Sequence, residues 1–257
     1  MGDVVLQTTG LVKEFKGFRA VDGVDLSVRR GHIHALIGPN GAGKTTCFNL
    51  LTRFLPATRG RIEFNGRDIT RMNTAAVARI GMVRSFQISS IFPQLSVLDN
   101  VRVALQREQG WSMHFWRSER CLRDLDADAM RLLSEVDLAA CADLRAQQLP
   151  YGQRRALELA TTLAMDPQLM LLDEPTQGMG REDVGRVTAL IRRVAQGRTV
   201  LMVEHNMSVV SSIADRITVL ARGSVLAEGD YAAVSANPLV REAYMGRAEP
   251  AQGNTHV

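Results

Sequence analysis

The chain has 257 residues, 46% of them hydrophobic and 23% charged, with a formal net charge of +4. Those proportions exclude a disordered or fibrous chain and leave an ordinary globular protein long enough for a sizeable core. The longest apolar runs, such as residues 169–172 and 200–203, fall far short of the roughly 18 to 20 residues that would cross a bilayer.

Met1-Gly2-Asp3 is not a basic segment followed by an apolar core, so a cytoplasmic location is expected. Residues 4–37 alternate short apolar runs (4–6, 24–28 and 33–37) with Gly17, Gly23 and Gly31, which predicts short strands separated by turns. Asn65-Gly66 between 61–64 and 67–69 predicts a two-residue hairpin, because both turn positions need positive φ. From Ser96 to about Thr162 apolar residues recur at helical spacing, as in Leu122, Leu125, Met130, Leu133 and Val136. This stretch reads as an inserted helical subdomain, about 89–162, whose first helix starts at a Ser96/Asp99 capping pair. Beyond it come a buried strand at 169–172, a helix over 182–196 stopped by Gly197, a strand at 199–203 and a hairpin at Arg222-Gly223. The pattern gives one domain over 1–245, with its core in 1–88 and 163–245, and a tail at 246–257 too poor in apolar residues to fold.

Cys47, Cys121 and Cys141 are odd in number and far apart, which argues for reduced packing residues rather than disulfides or a zinc site. The 31 basic residues form no block of five or six, so they read as a solvated surface and nucleic acid is not an expected partner. All of them are arginines except Lys13, Lys16 and Lys44.

Gly38-Pro39-Asn40-Gly41-Ala42-Gly43-Lys44-Thr45 matches G-x-x-x-x-G-K-[ST], with a strand before it (33–37) and a helix-compatible segment after it (46–54). Glycines there let successive backbone N–H groups turn toward phosphate oxygens, and the helix N-terminus adds partial positive charge. Lys44 is expected to neutralise the β and γ phosphates of ATP, Thr45 to offer its hydroxyl to Mg²⁺, and Thr46 to reach the α-phosphate. Asp173 and Glu174 close the strand at 169–172, at the end of a parallel strand where such sheets bind ligands. Asp173 is expected to hold Mg²⁺ through water, and Glu174 to orient or deprotonate the attacking water.

With these elements in this order, the chain resembles the ATP-binding-cassette (ABC) family over nearly its whole length. The resemblance implies an α/β fold: a P-loop NTPase (RecA-like) parallel-sheet core, an N-terminal antiparallel β subdomain and an inserted α-helical subdomain. It places Phe15 on adenine, with Phe18 as its rival, Gln87 on Mg²⁺ and the attacking water, and His205 on the γ-phosphate. Leu149-Pro150-Tyr151-Gly152-Gln153 stands where the family has its signature Leu-Ser-Gly-Gly-Gln, which closes over the ATP of an opposite subunit. Pro150 brings neither the serine's hydroxyl nor an N–H, and Gly180 stands where an aspartate is usual.

Arg84-Ser85-Phe86-Gln87, Tyr151 with Gly152-Gln153, Val203-Glu204-His205-Asn206-Met207 and Ala243-Tyr244-Met245-Gly246 are similar to ATPase subunits of branched-chain amino acid importers. Lipopolysaccharide exporters and urea or amide importers share much of that pattern. The resemblance implies transmembrane permease subunits and a second ATPase subunit, the same chain or a sister, as partners. A solute-binding protein would be an indirect partner, and the chain would sit peripherally on the cytoplasmic face of the inner membrane. Docking is expected near residues 88–98, where Ile91, Phe92 and Leu95 read equally as subdomain core, while Trp111, Phe115 and Trp116 read as packing of the helical subdomain. Cassette ATPases acting on nucleic acid or ribosomes usually carry two cassettes or long coiled-coil arms, and this sequence shows neither.

Overall fold

A computed structural model describes residues 4–85, 91–108 and 125–245. Strands β1 (Val4–Phe15) and β2 (Phe18–Arg29) form a long antiparallel hairpin turned at Lys16 and Gly17, both at positive φ. Gly23, expected in a turn, instead lies inside β2. Leu11 pairs with Val24 but Lys13 with Val21, so β2 carries one extra residue there, and Gly23 at φ 69° accommodates the bulge.

Strand β3 (Ile33–Ile37) runs into the phosphate loop and then α1 (Lys44–Leu51). This helix ends earlier than the expected 54, because Thr52 turns its hydroxyl back to the Phe48 carbonyl at 3.0 Å and Arg53 takes φ 59°. β4 (Arg59–Phe64) and β5 (Arg67–Asp68) make the Asn65-Gly66 hairpin, with both turn residues at positive φ as read from the sequence. Next come α2 (Thr74–Arg79) and β6 (Met82–Ser85), then α3 (Val97–Glu108). Ser96 caps α3, accepting from the Asp99 N–H at 2.9 Å while its hydroxyl donates to the Asp99 carboxylate at 2.6 Å.

Helix α4 (Asp126–Glu135) buries Ala129, Leu132 and Leu133. Helix α5 (Tyr151–Leu163) starts directly after Pro150, its cap, where a missing N–H costs nothing. β7 (Leu169–Asp173) leads to α6 (Arg181–Val194), which carries Glu182 and Asp183 in its first turn and Arg192 and Arg193 in its last, as the helix dipole favours. It stops before Gly197 at φ 72°, two residues short of the expected end. β8 (Thr199–Val203), α7 (Met207–Ile213), the hairpin of β9 (Arg216–Ala221) and β10 (Ser224–Gly229), α8 (Tyr231–Ala236) and α9 (Pro238–Met245) complete the described chain.

Two sheets result: an antiparallel one in the order β2-β1-β4-β5, and a six-stranded one in the order β10-β9-β3-β8-β7-β6. In the second, β6, β7, β8, β3 and β9 are all parallel, and only β10 is antiparallel. Its strands read as unbroken apolar runs because both faces are covered. Ala35, Ile37, Met170, Leu172, Val200 and Met202 face a core that also holds Val97, Leu133, Leu157 and Ile191 from the helices. Leu36, Leu169, Leu171, Leu201 and Val203 face the opposite core, built with α1 and the antiparallel sheet around Phe48 and Phe64. Each of those two phenylalanines, fully buried, contributes roughly 2 to 3 kcal/mol of hydrophobic stabilisation. Among the described residues no helix is long and apolar enough to cross a membrane. Cys47 is buried, which pushes its thiol up to about 12 and fits a packing role, and Cys141 is half-buried; Cys121, Leu122, Trp111, Phe115, Trp116 and 246–257 lie outside the described residues.

Candidate active site

Parallel strands pointing one way deliver their following loops to one edge of the sheet. The phosphate loop follows β3, Asp173 ends β7 with Glu174 just after it, and His205 follows β8, on three adjacent strands. The strand β6 next to β7 leads toward Gln87, which lies outside the described residues, as do positions 88–90 of the expected docking segment.

The phosphate loop needs its glycines for space as well as for φ. A Cβ on Gly38 would lie 2.2 Å from the Leu220 carbonyl oxygen, and one on Gly43 would lie 2.3 Å from that of Ala20. Gly43 also sits at φ 97° as the cap of α1, a conformation side chains resist. Gly223, in the β9–β10 turn, donates to the Ala42 carbonyl at 3.0 Å and accepts from the Asp22 N–H at 2.8 Å, joining the loop to β2. Lys44 is buried and donates to the carbonyls of Gly38 at 2.7 Å and Pro39 at 3.0 Å, so its ammonium lies folded within the loop. Burial draws that ammonium below its ordinary value, with Glu174 opposing the shift. Thr45 is exposed and Thr46 half-buried on the first turn of α1.

Glu174 sits at φ 47°, its N–H held by the Val203 carbonyl at 2.9 Å, which ties β7 to β8 at the site. Its carboxylate is 3.8 Å from Nδ1 of the half-exposed His205. Asp173 Oδ2 accepts from Arg84 of β6, and both side chains are nearly buried. Phe15 stands exposed at the tip of the β1–β2 hairpin, beneath the Lys13 ammonium 5.0 Å from its ring, with Phe18 across the turn still more exposed.

The signature segment caps and opens α5. Tyr151 donates to the Gln177 carbonyl at 3.1 Å and accepts from Arg155 at 2.8 Å, whose guanidinium also lies over the ring. Gly152 faces Asp183, with a Cβ position 3.3 Å from Oδ1, and Gln153 is exposed. Gly180 caps α6 in extended conformation.

Sequence reasoning missed three supports. Glu204 is fully buried and accepts from the backbone N–H groups of Thr176 at 3.2 Å, His205 at 2.9 Å and Asn206 at 3.0 Å, as well as from the Thr176 hydroxyl. Its apolar-strand context, rather than its type, was the available signal, since a charge placed directly after a buried run needs partners. Arg84 is the second. The third is Tyr244 of α9, an exposed side chain set beside the Gly38 backbone of the phosphate loop.

Comparison with known proteins agrees with this arrangement. Residues 21–177 match the family profile described as ABC transporter. The chain belongs to the ABC transporter family. Residues 224–250 match a further profile, described as branched-chain amino acid ATP-binding cassette transporter. The high-affinity branched-chain amino acid transport ATP-binding protein BraF of Pseudomonas aeruginosa is 37% identical, over 96% of this chain and 100% of that protein. LivG of Escherichia coli K12, with the same description, is 34% identical over 96% of this chain and 100% of its own. A crystal structure of an ABC-transporter ATP-binding cassette in its ADP conformation superposes with a TM-score of 0.82 at 28% identity, covering 95% of this chain and 99% of that one. This ABC subunit is accordingly an ATP-binding, ATP-hydrolysing cassette that serves a transporter, built on the P-loop NTPase fold expected from its sequence.

Proposed function

We propose that this ATPase drives uptake of branched-chain amino acids, working as a pair of cassettes against transmembrane permease subunits at the cytoplasmic face of the inner membrane. One observation supports the solute class: similarity to BraF and LivG runs over nearly the whole chain, and residues 224–250 match the branched-chain profile as well. A solute-binding protein delivers the amino acid to the permease and meets this chain only indirectly.

Within the site, the Gly38-to-Thr46 loop and Lys44 hold the phosphates, and Phe15 takes the adenine by stacking. The Lys44 ammonium exchanges its two carbonyl partners for phosphate oxygens, a gain in charge complementarity. Mg²⁺ fits the donors present, since the Thr45 hydroxyl and the Asp173 carboxylate are the hard oxygens such an ion takes, and Gln87 adds an amide oxygen. When bound, the ion offsets phosphate charge. Glu174 orients and deprotonates the attacking water, and His205, beside it, hydrogen-bonds the γ-phosphate. Pro150, Tyr151, Gly152 and Gln153 act on the ATP of the partner cassette, so one copy holds half of each site. The helical region 89–162 moves on closure and carries that movement to the permease.

Purification of the tagged chain from its native membranes in mild detergent, followed by mass spectrometry, tests the solute class. Two permease subunits of a branched-chain importer, with or without a sister cassette, are expected. Envelope-lipid export components, or a urea or amide permease, would overturn the solute class, and ribosomes would overturn the transport assignment. At the site itself, Lys44→Ala is expected to weaken ATP binding by about 100-fold, or about 3 kcal/mol, from lost charge-assisted phosphate contacts. Titration with a fluorescent ATP analogue measures this, and unchanged affinity would remove Lys44 from the role.

A further inference from the structure

Arg84 lies on β6, next to β7 and two strands from β8, and reaches across to both halves of the cation site. Its Nη2 donates to Asp173 Oδ2 at 2.5 Å. Its Nη1 donates to Asn49 Oδ1 at 2.6 Å and lies 3.5 Å from the Thr52 hydroxyl, while the guanidinium stacks over the Phe48 ring at 5.0 Å. Asn49 and Phe48 belong to α1, and Thr52 caps it. One planar fork therefore joins the carboxylate that ends β7 to the helix whose first turn carries Lys44 and Thr45. The two side chains of the pair are only 11% and 12% exposed, so water screens this link weakly.

A buried ion pair of this kind is poor evidence for added stability, because desolvation offsets most of its attraction. Its geometric effect is more direct: with Oδ2 taken by the guanidinium, Asp173 has Oδ1 to offer a cation. Groups that hydrogen-bond a metal-binding carboxylate in this way fix its orientation. Lysine could not reproduce the link, because a point charge lacks the fork that reaches Asp173 and Asn49 together and the flat face that stacks on Phe48.

We propose that Arg84 is a positioning residue for the divalent cation, setting Asp173 relative to the α1 helix that carries Thr45. This rests on the reading that Asp173 and Thr45 hold Mg²⁺. It assigns a task to the arginine that precedes Ser85-Phe86-Gln87, and it links the entry to that segment with the metal site.

The test is a Mg²⁺ titration of the binding of a fluorescent, non-hydrolysable ATP analogue, with Mg²⁺-free affinity and thermal melting measured for each variant. Asp173→Asn is the reference and is expected to raise the half-saturating Mg²⁺ concentration by more than about tenfold. Arg84→Met is expected to raise it about tenfold while Mg²⁺-free affinity, set by Lys44 and the loop, stays within about twofold, and Arg84→Lys is expected to fall between. If Asp173→Asn shifts the requirement and a folded Arg84→Met leaves it unchanged or lowers it, Arg84 is a packing residue or a competitor of the metal, and the proposal fails. An equal loss with and without Mg²⁺ would also overturn it, since that reports a damaged phosphate loop. No shift in Asp173→Asn would instead overturn the underlying cation assignment. Should Arg84→Met not fold, Asn49→Ala removes the guanidinium's shortest hydrogen bond to α1 without touching Asp173. A rise of about threefold in the Mg²⁺ requirement is then expected, and no rise overturns the proposal.

Discussion

Glu174→Gln is expected to lower ATP turnover by about a thousandfold while leaving nucleotide binding in place. The amide matches the carboxylate in size, so the left-handed turn at φ 47° and the Val203 tie that aim this side chain survive the change. On the proposed mechanism, what is lost is the base that accepts the proton of the attacking water. ATP then stays intact between two cassettes, and the variant is expected to double in mass by light scattering when Mg-ATP is added. Steady-state phosphate release checks the first half of this expectation. A variant that stays monomeric under saturating Mg-ATP would count against the paired arrangement, and one that turns over at the parent rate would transfer the base role to another group.

Glu204→Ala is expected to destabilise the fold by about 4 kcal/mol, which in a domain of this size lowers the melting temperature by about 10 °C. The carboxylate is fully buried and satisfies three backbone N–H groups and a hydroxyl, and alanine leaves all of these donors without an acceptor and without water. The same donors belong to the loop after Glu174 and to His205 itself, so activity should fall more steeply than stability alone predicts. Glutamine at this position retains one oxygen but presents an NH₂ to a donor, and is expected to lose about half as much. Thermal melts beside ATPase assays at a temperature where all variants are folded separate the two effects. An alanine variant melting within a degree of the parent would show that the brace is dispensable.

The parts of this molecule legible from its sequence are those where a residue type has few conformational options. Asn65-Gly66 and Arg222-Gly223 announced their turns through positive φ, and the glycines of the phosphate loop announced close backbone approach. Buried parallel strands at 169–173 and 199–203 were readable because a strand covered on both faces has no polar side to show. Gly23 misled for the same reason that the others informed: positive φ serves a bulge as well as a turn, and only strand pairing distinguishes them. Helix ends came two or three residues early, at Val194 before Gly197 and at Leu51 before Thr52, since capping depends on local geometry that spacing does not encode. Arg84 and Glu204 could be quoted as parts of motifs but not given partners. Arg84 finds Asp173 across 89 positions and Glu204 finds Thr176 across 28, and such pairings exist only once the sheet has set its strand order.

That strand order also dictates when the nucleotide site can come into being. β3, which launches the phosphate loop, is hydrogen-bonded on one side to β8 and on the other to β9, both made more than 160 positions later in the chain. Gly223, which braces Ala42, comes later still. A nascent polypeptide that has emerged only through α6 contains every residue from Gly38 to Thr46 and both Asp173 and Glu174, yet has neither flank of the strand that carries the loop. Synthesis of the phosphate loop therefore precedes its bracing by most of the length of the protein, and contacts of such large sequence separation form slowly. A phosphate loop supported on both flanks and braced at Ala42 is therefore expected only once the last hairpin is available to the chain.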